Sequence, residues 1–384
     1  MENFLYAIRN TETKRHYVRR LENFFDYISL EGTLEQKSKS FLSKSCNNDS
    51  WVYANVMKFI SYQKERAERG EIAVATIRNF WKPIRLFLEM NDINLAWKKI
   101  SRGIPKGRKF AVDRAPTIDE IRKLVEYPDR RIKAIVYTMC SSGIRLGAWE
   151  YLKWNHVTPI EREGMLLGAK LLVYAEDEEQ YFTFITPEAY NELKKWMDFR
   201  RECGEKVTDE SKVLRDLLDA EKFGRGLVRL PKELKASGIK SLIEGALKSQ
   251  GIRKKLPVGK KRHEFQADHG FRKFFKTRAE QAMKPINVET LIGHSTGISD
   301  SYYRPNENEL FSDYLNAIPE LTISTESKLE AEKFKAVTER NHFQTENKEI
   351  HKQYTTRIDN LEKTVKRLVR KIERQNTVKP NNES

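Results

Sequence analysis

Cysteine is nearly absent: Cys46, Cys140 and Cys203 are the only three in 384 residues. They are too few and too scattered for a disulfide framework or a cysteine zinc site, which points to a reducing compartment. No apolar run approaches the roughly 18 residues that a membrane helix needs, so neither a spanning protein nor a membrane partner is expected. The opening stretch MENFLYAIRNTETKRHY lacks the apolar core of a secretion signal, so the expected location is cytoplasmic. No carboxylate cluster and no His-x-His spacing for a metal stands out. Acidic residues are in deficit: Lys+Arg number 71 against 55 Asp+Glu, a net charge of +16. That balance implies a polyanionic partner, nucleic acid first. With 39% apolar residues the chain can still build packed cores, which excludes wholesale disorder, and its length suggests two domains.

The first hundred residues read as helical. Tyr17, Leu21, Phe24, Phe25 and Ile28 recur at three- and four-residue steps, as do Val56, Phe59, Ile60 and then Ile77, Phe80, Trp81, Ile84, Phe87, Leu88. The spacing predicts a small all-helical domain of four or five helices over 1–102. Residues 103–116, GIPKGRKFAVDRAP, break the pattern with Gly and Pro and read as a basic linker. A second domain is expected over 117–323. Thr117 and Glu120 fit a capping box that opens a helix. A further helix covers Arg131–Ser141, and a helix or turn covers Arg145–Trp154. Lys170–Tyr174 and Tyr181–Ile185 are β-rich runs around the acidic turn Glu176–Gln180 and predict a hairpin. Pro187 opens another helix, and helices return over 239–250, 270–283 and 287–292. The fold class is thus mainly α with a small antiparallel sheet. From 324 to 384 the chain is polar and has no Gly. Ile358, Leu361, Val365, Leu368 and Ile372 step alternately by three and four, with Ile350 and Tyr354 before them. This is a coiled-coil-like seam, suited to a short coiled coil or to a helix docked on the body.

Four motifs in the second domain carry chemistry: Ser142-Gly143-Ile144-Arg145, His269-Gly270-Phe271-Arg272, Gly293-His294-Ser295 and Tyr302-Tyr303. An Arg just past a Gly turn can present its guanidinium inward to an anion. The three-residue step of HGFR puts His269 and Arg272 on one helix face. Each motif is weak alone; their order and spacing together are demanding.

In that order and spacing the set resembles the tyrosine recombinase (integrase) family, over about residues 114–320. The stretch from LIGHS to SYYRP is similar to archaeal and archaeal-virus integrases. The resemblance implies a helical core-binding domain, a catalytic domain, and Tyr303 as a nucleophile that forms a 3′-phosphotyrosyl ester on duplex DNA. Tyr303 fits the family spacing from His294, and Tyr302 points about 100° away on a helix. Arg145 and Arg272 would each give paired hydrogen bonds to phosphate oxygens, and His269 and His294 would donate or move protons. Four protomers would act on two attachment sites, with the two domains closing around the duplex. The resemblance implies site-specific recombination that needs no metal and no nucleotide cofactor, used to integrate a mobile element, in a prokaryotic nucleoid or as a viral protein in its host. A type IB topoisomerase-like nicking and resealing enzyme shares the chemistry, and a non-catalytic DNA-binding protein on the same fold is the rival of another class.

Two positions depart from the family pattern. An acid is usual three residues after the first Arg, where this chain has Ala148; Glu150 is the nearest substitute. The hairpin Lys that protonates the leaving oxygen is missing from the turn Ala175-Glu176-Asp177-Glu178-Glu179, and Lys170 is the nearest candidate. Outside the motifs, Lys106, Arg108 and Lys109 in the linker are expected to lie along DNA. So are Arg253, Lys254, Lys255, Lys260, Lys261 and Arg262, read as a loop gripping phosphates near the cut.

Overall fold

Helices form where apolar residues repeat at three- and four-residue steps. The computed structural model describes residues 1–46, 48–105, 114–216, 232–254, 256, 263–295, 297 and 302–376; they are mainly helical with one small sheet. The described residues up to 105 make one compact unit and those from 114 onward make a second.

The first unit contains α1 (Glu2–Tyr6), α2 (Thr11–Tyr27), α3 (Leu34–Ser45), α4 (Asp49–Glu68), α5 (Val74–Glu89) and α6 (Trp97–Arg102). The two short end helices bring the number described to six, against the four or five expected. Asn10 and Asn48 cap α2 and α4 through their side-chain oxygens, and Thr33 with Gln36 forms a capping box on α3. The core is aromatic. Phe4, Phe24, Phe25, Phe41, Phe59 and Phe87 are buried and meet edge to face, with centroids 5.3–6.0 Å apart.

The second unit opens with α7 (Ile118–Val125), whose Thr117–Glu120 capping box forms as expected. Next comes α8 (Arg130–Ser142), with eleven of its thirteen residues buried. A helix buried on all sides is a core helix, and the others pack around it. Two short 3₁₀ turns, Leu146–Glu150 and Trp154–His156, lead into the sheet. Strands β1 (Val157–Arg162), β2 (Met165–Val173) and β3 (Tyr181–Ile185) pair antiparallel in that order. The expected hairpin is β2–β3, with Val173 opposite Tyr181 and Lys170 opposite Phe184. Strand β1 carries Pro159, opposite Ala169, and an irregularity at Ile160/Glu161; both are tolerable at a sheet edge. After the sheet come α9 (Pro187–Glu202), α10 (Ala236–Ser249), α11 (His269–Ala279), α12 (Pro285–Leu291), α13 (Glu307–Leu321) and α14 (Thr325–Asn376).

The C-terminal end of α8 organises this unit. The last carbonyls of a helix have no partner within it, and here they are buried. Tyr314 of α13 donates to the Ser141 carbonyl at 2.7 Å, Thr183 of β3 to that of Ser142 at 3.4 Å, and Arg272 of α11 to that of Gly143 at 2.5 Å. Three elements distant in sequence are thus tied to one helix end.

Helix α14 starts from a firm anchor. The buried Glu188 carboxylate accepts from the backbone N–H of Ile323 and of Ser324, both at 2.8 Å. Beyond it the seam Ile358, Leu361, Val365, Leu368, Ile372 is more than half exposed at every position. Of the two arrangements expected, the seam is not docked on the body of its own chain. No described helix is long and apolar enough to cross a membrane.

A buried ion network closes the unit elsewhere. Glu205 accepts from Arg200 at 2.5 Å and from Arg215 at 2.7 Å, with all three side chains buried. Burial pushes the Glu205 carboxyl up, but the two guanidiniums outweigh it and hold it below the usual carboxylate range. Removing one partner of a buried pair leaves charge uncompensated. Glu205→Ala should therefore destabilise by about 3–5 kcal/mol in urea unfolding. Because the folded value is depressed, this contribution is present above the ordinary carboxylate pKa and is lost as pH falls below it. Urea midpoints of the wild type and Glu205→Ala should accordingly converge in acid.

Candidate active site

Gly143 ends α8 in the left-handed conformation (φ +63°), and a Cβ there would stand 2.6 Å from the Phe275 ring. The chain turns there into Ile144, which is buried, and Arg145, which is extended and half-buried. Arg145 Nη2 donates to the Gly293 carbonyl at 3.4 Å. Arg272 comes from α11, buried on the face it shares with Phe271 and Phe275. Its Nη1 donates to the Gly143 carbonyl and its Nη2 to the Ile292 carbonyl at 2.6 Å. The two guanidiniums therefore meet at the loop that follows α12, and neither pairs with a carboxylate among the described residues. Burial holds the Arg272 guanidinium below its usual range, and the charge of Arg145 adds to the effect. Two cations side by side, one desolvated and both without counter-charge, form a site for an anion.

Gly293 repeats the device of Gly143. Its φ is +65°, and a Cβ would lie 2.6 Å from Cε1 of Tyr181. Tyr181 closes one wall, its hydroxyl buried beside the Arg272 guanidinium. Tyr174, at the other end of the hairpin turn, stands 6.3 Å from Tyr181 between ring centroids and 5.3 Å from Tyr151. Burial pushes the Tyr174 phenol up to about 12, and Arg145 and Arg272 oppose that shift. Burial raises Tyr181 as well, against the same two cations.

His294 is exposed at the rim, and its Nδ1 lies 2.5 Å from Glu289 Oε2. Glu289 also pairs with Lys276 of α11. Burial pushes the Glu289 carboxyl up, but hydrogen bonds from Lys276 and His294 prevail and hold it below its usual range. The carboxylate fixes the imidazole so that Nε2 faces outward. His269 is the first residue of α11 and is exposed, whereas Arg272 one turn on is buried. The three-residue step therefore puts the two at different depths.

Tyr303 is half-buried and donates to Asn287 Oδ1 at 2.8 Å, while Asn287 Nδ2 donates to Asp313 at 2.6 Å. Tyr302 is 86% exposed. The phenol of Tyr303 is thus held by α12 and α13, and that of Tyr302 lies in solvent.

Several expected residues sit elsewhere. The Lys170 ammonium bonds Glu307 at 2.5 Å and lies over the Phe182 ring, so it is neutralised in place and makes no contact with Arg145 or Arg272. Glu150 does not support Arg145; its carboxylate accepts from the Ala236 N–H at the start of α10. Arg253 is buried rather than free for DNA, donating to the Phe265 carbonyl at 2.6 Å with its charge over the Phe265 ring. Lys254 is exposed. Lys106, Arg108, Lys109, Lys255, Lys260, Lys261 and Arg262 lie outside the described residues. The residues missed from sequence are Tyr174, Tyr181, Glu289, Asn287 and Asp313. The two tyrosines flank the very turn in which a Lys was sought.

No family model matches the chain, and no curated protein matches it. Among solved structures it is similar to XerA recombinase, at 18% identity over 79% of this chain and 97% of that one, with a TM-score of 0.36. It is similar to XerH recombinase bound to a palindromic difH substrate in a post-cleavage complex, at 14% identity over 76% and 92%, with a TM-score of 0.46. It is also similar to a lambda integrase (75–356) dimer bound to a COC′ core site, at 14% identity over 78% and 91%, with a TM-score of 0.42.

Arg145 and Arg272 now separate by experiment. Arg145 makes one long contact to the chain, whereas Arg272 satisfies two buried carbonyls. Arg272→Lys should lower stability by about 1–3 kcal/mol, the cost of leaving a buried polar group unmade. Arg145→Lys should leave the melting temperature within the range of a surface change. Phosphate-dependent stabilisation, read as a rise in melting temperature with added inorganic phosphate, should be lost in both.

Proposed function

We propose that this chain is a site-specific DNA recombinase of the tyrosine type, which cuts and rejoins duplex DNA through a 3′-phosphotyrosyl ester. The observation that carries this reading is the pair of guanidiniums, Arg145 and Arg272, brought to one loop with neither paired to a carboxylate among the described residues. A phosphodiester under attack develops charge on its non-bridging oxygens, and preorganised guanidinium donors stabilise that charge. Arg272 spends two of its five N–H groups on carbonyls, lies beside the Tyr181 hydroxyl, and has further donors for phosphate. Arg145 keeps almost its whole fork.

Tyr303 is the nucleophile in this reading. Its hydroxyl rests on Asn287 and swings from there to phosphorus when DNA is bound. His294, oriented by Glu289, donates to a non-bridging oxygen or takes the tyrosine proton. The ester conserves the bond energy, so the freed 5′-hydroxyl of another strand reverses the attack without a nucleotide cofactor. The partner is double-stranded DNA, and the setting is the integration or excision of a mobile element, such as an archaeal virus, inside its host cell. Among similar structures, one is a lambda integrase dimer bound to a COC′ core site and another a lambda integrase tetramer bound to a Holliday junction. The corresponding assembly here is four protomers on two duplexes, with the seam of α14 available to a neighbouring protomer.

Capture from a library of nicked duplexes tests the chemistry. The wild type should yield covalent adducts in EDTA, with the DNA joined to Tyr303 by peptide mapping. Tyr303→Phe should give no adduct while binding the recovered site with nearly unchanged affinity, since only a hydroxyl is lost. An adduct on Tyr302 moves the nucleophile by one residue. DNA binding by the wild type without any adduct favours a non-catalytic binding protein, to which the pairs Lys170–Glu307 and Tyr303–Asn287 lend support.

The tail is tested separately. Truncation after Lys328 keeps the Glu188 anchor and removes the exposed seam. Such a chain should cleave a suicide substrate at the wild-type rate but assemble less well on paired sites, read by sedimentation on DNA. The effect should be modest, because isolated helices of this length are marginal.

A further inference from the structure

Cleavage of a phosphodiester needs two protons moved. The attacking phenol must lose one, and the departing 5′-oxygen must gain one, because an alkoxide is a poor leaving group. In an in-line displacement the leaving oxygen lies across phosphorus from the nucleophile, so its donor must stand beside the guanidiniums that hold the phosphate. Lys170 does not stand there: Glu307 neutralises it and the Phe182 ring covers it. His294, held by Glu289 through Nδ1, serves the attacking side in the reading above, taking the Tyr303 proton through Nε2. His269 is exposed at the start of α11. The Tyr181 hydroxyl is beside Arg272 but buried, with its ring pressed on Gly293.

Tyr174 is different. It is the first residue after β2, at the mouth of the turn. Its backbone is left-handed (φ +54°), a conformation that a non-glycine residue rarely adopts and that clusters at functional sites. The turn is fixed around it: its carbonyl accepts from Asp177 N–H at 3.0 Å, and Gln180 Oε1 accepts from Glu176 N–H at 2.8 Å. Its ring packs edge-on against Tyr151, and its hydroxyl lies against Gly147, two residues past Arg145. That hydroxyl makes no hydrogen bond among the described residues, yet it is not among the sealed polar atoms. Both guanidiniums act on it electrostatically.

We infer that Tyr174 is the general acid of strand cleavage, delivering its phenolic proton to the departing 5′-oxygen in place of a lysine. The inference rests on the recombinase reading above. Tyr303 Oη forms the bond to phosphorus and gives its proton to His294 Nε2, the bond from phosphorus to O5′ breaks with its electron pair on oxygen, and the Tyr174 proton moves to that oxygen. Tyr174 is left as a phenolate facing Arg145 and Arg272, which stabilise it. On rejoining, the same phenolate takes the proton from the attacking 5′-hydroxyl, so one group serves both directions. A phenol raised by burial stays protonated throughout the neutral range and remains more acidic than the alcohol it serves.

The test replaces the leaving oxygen. A nicked duplex carrying a captured site is prepared with an ordinary phosphate and with a 5′-bridging phosphorothioate, whose thiolate leaves without a proton. Single-turnover cleavage by the full chain is measured for the wild type and for Tyr174→Phe, which retains the ring and its contact with Tyr151. Tyr174→Phe should be slowed about 10²–10⁴-fold on the ordinary substrate, the usual contribution of a general acid, and restored to near the wild-type rate on the sulfur substrate. Its melting temperature should match the wild type. Equal slowing on both substrates makes Tyr174 a positioning residue and overturns the inference, as does no slowing at all. Sulfur rescue of Lys170→Ala without rescue of Tyr174→Phe transfers the role to Lys170. Cleavage of neither substrate by the wild type overturns the recombinase reading itself, which separates that failure from the failure of the Tyr174 assignment.

Discussion

The buried end of α8 is the constraint on which the second unit depends. A helix buried to its last residue must find partners for its final carbonyls inside the protein, because water cannot reach them. Here three side chains from three elements supply them: Tyr314 from α13, Thr183 from β3 and Arg272 from α11. The requirement of one helix end thus fixes a neighbouring strand and two helices that lie far apart in sequence. The carbonyl bound by Arg272 belongs to the residue that turns the chain into Arg145. What satisfies the backbone also sets the site.

Arg272 bridges stability and chemistry for the same reason. It spans two loops, taking the Gly143 carbonyl on one side and the Ile292 carbonyl on the other. Those residues precede Arg145 by two and His294 by two. Both functional loops are therefore measured from one guanidinium, whose plane is rigid and whose donors point in fixed directions. The two glycines make the close approach feasible, since a Cβ at Gly143 would strike Phe275 and one at Gly293 would strike Tyr181. The cost is a desolvated cation beside a second cation. In the recombinase reading proposed above, an arriving phosphate would relieve that cost and direct binding energy to the reacting group.

Much of this was legible in the sequence, and the exceptions have physical causes. The three- and four-residue apolar steps mark the helices, and the β-rich runs on either side of the acidic turn mark β2 and β3. Strand β1 escapes notice because Pro159 argues against a strand, and only an edge position next to β2 makes it acceptable. Spacing singles out Arg145, Arg272, His294 and Tyr303 as candidates, since a motif is local. It does not find what each side chain touches. Arg253 reads as part of a basic loop, but it follows α10 closely enough for the chain to fold it under Phe265. Glu150 reads as a partner for Arg145, yet the 3₁₀ turn directs it to the first N–H of α10. Glu289 lies five residues before His294, close enough in sequence to be noticed, but its role requires Lys276 from another helix.

The hairpin shows most clearly how composition can mislead. Four acidic residues in its turn look hostile to a phosphate, and the absence of a cation there looks like a missing function. The turn's side chains from Glu176 to Gln180 are exposed, whereas the tyrosines at either end are half-buried, with their rings 6.3 Å apart, and feel the charge of both arginines. Charge at the tip is screened by solvent and falls away over roughly a Debye length of about 8–10 Å. The groups at the base act in a drier setting, where a neutral proton donor carries a smaller desolvation cost than an ammonium. Two arginines already supply positive charge at that place, and a third cation would add repulsion to a site in which Arg272 is depressed by Arg145. A phenol delivers a proton without adding charge to the resting site. In this surrounding, a tyrosine at the base of the hairpin would supply a proton without a further cation, and the lysine that the strand does carry is neutralised by Glu307.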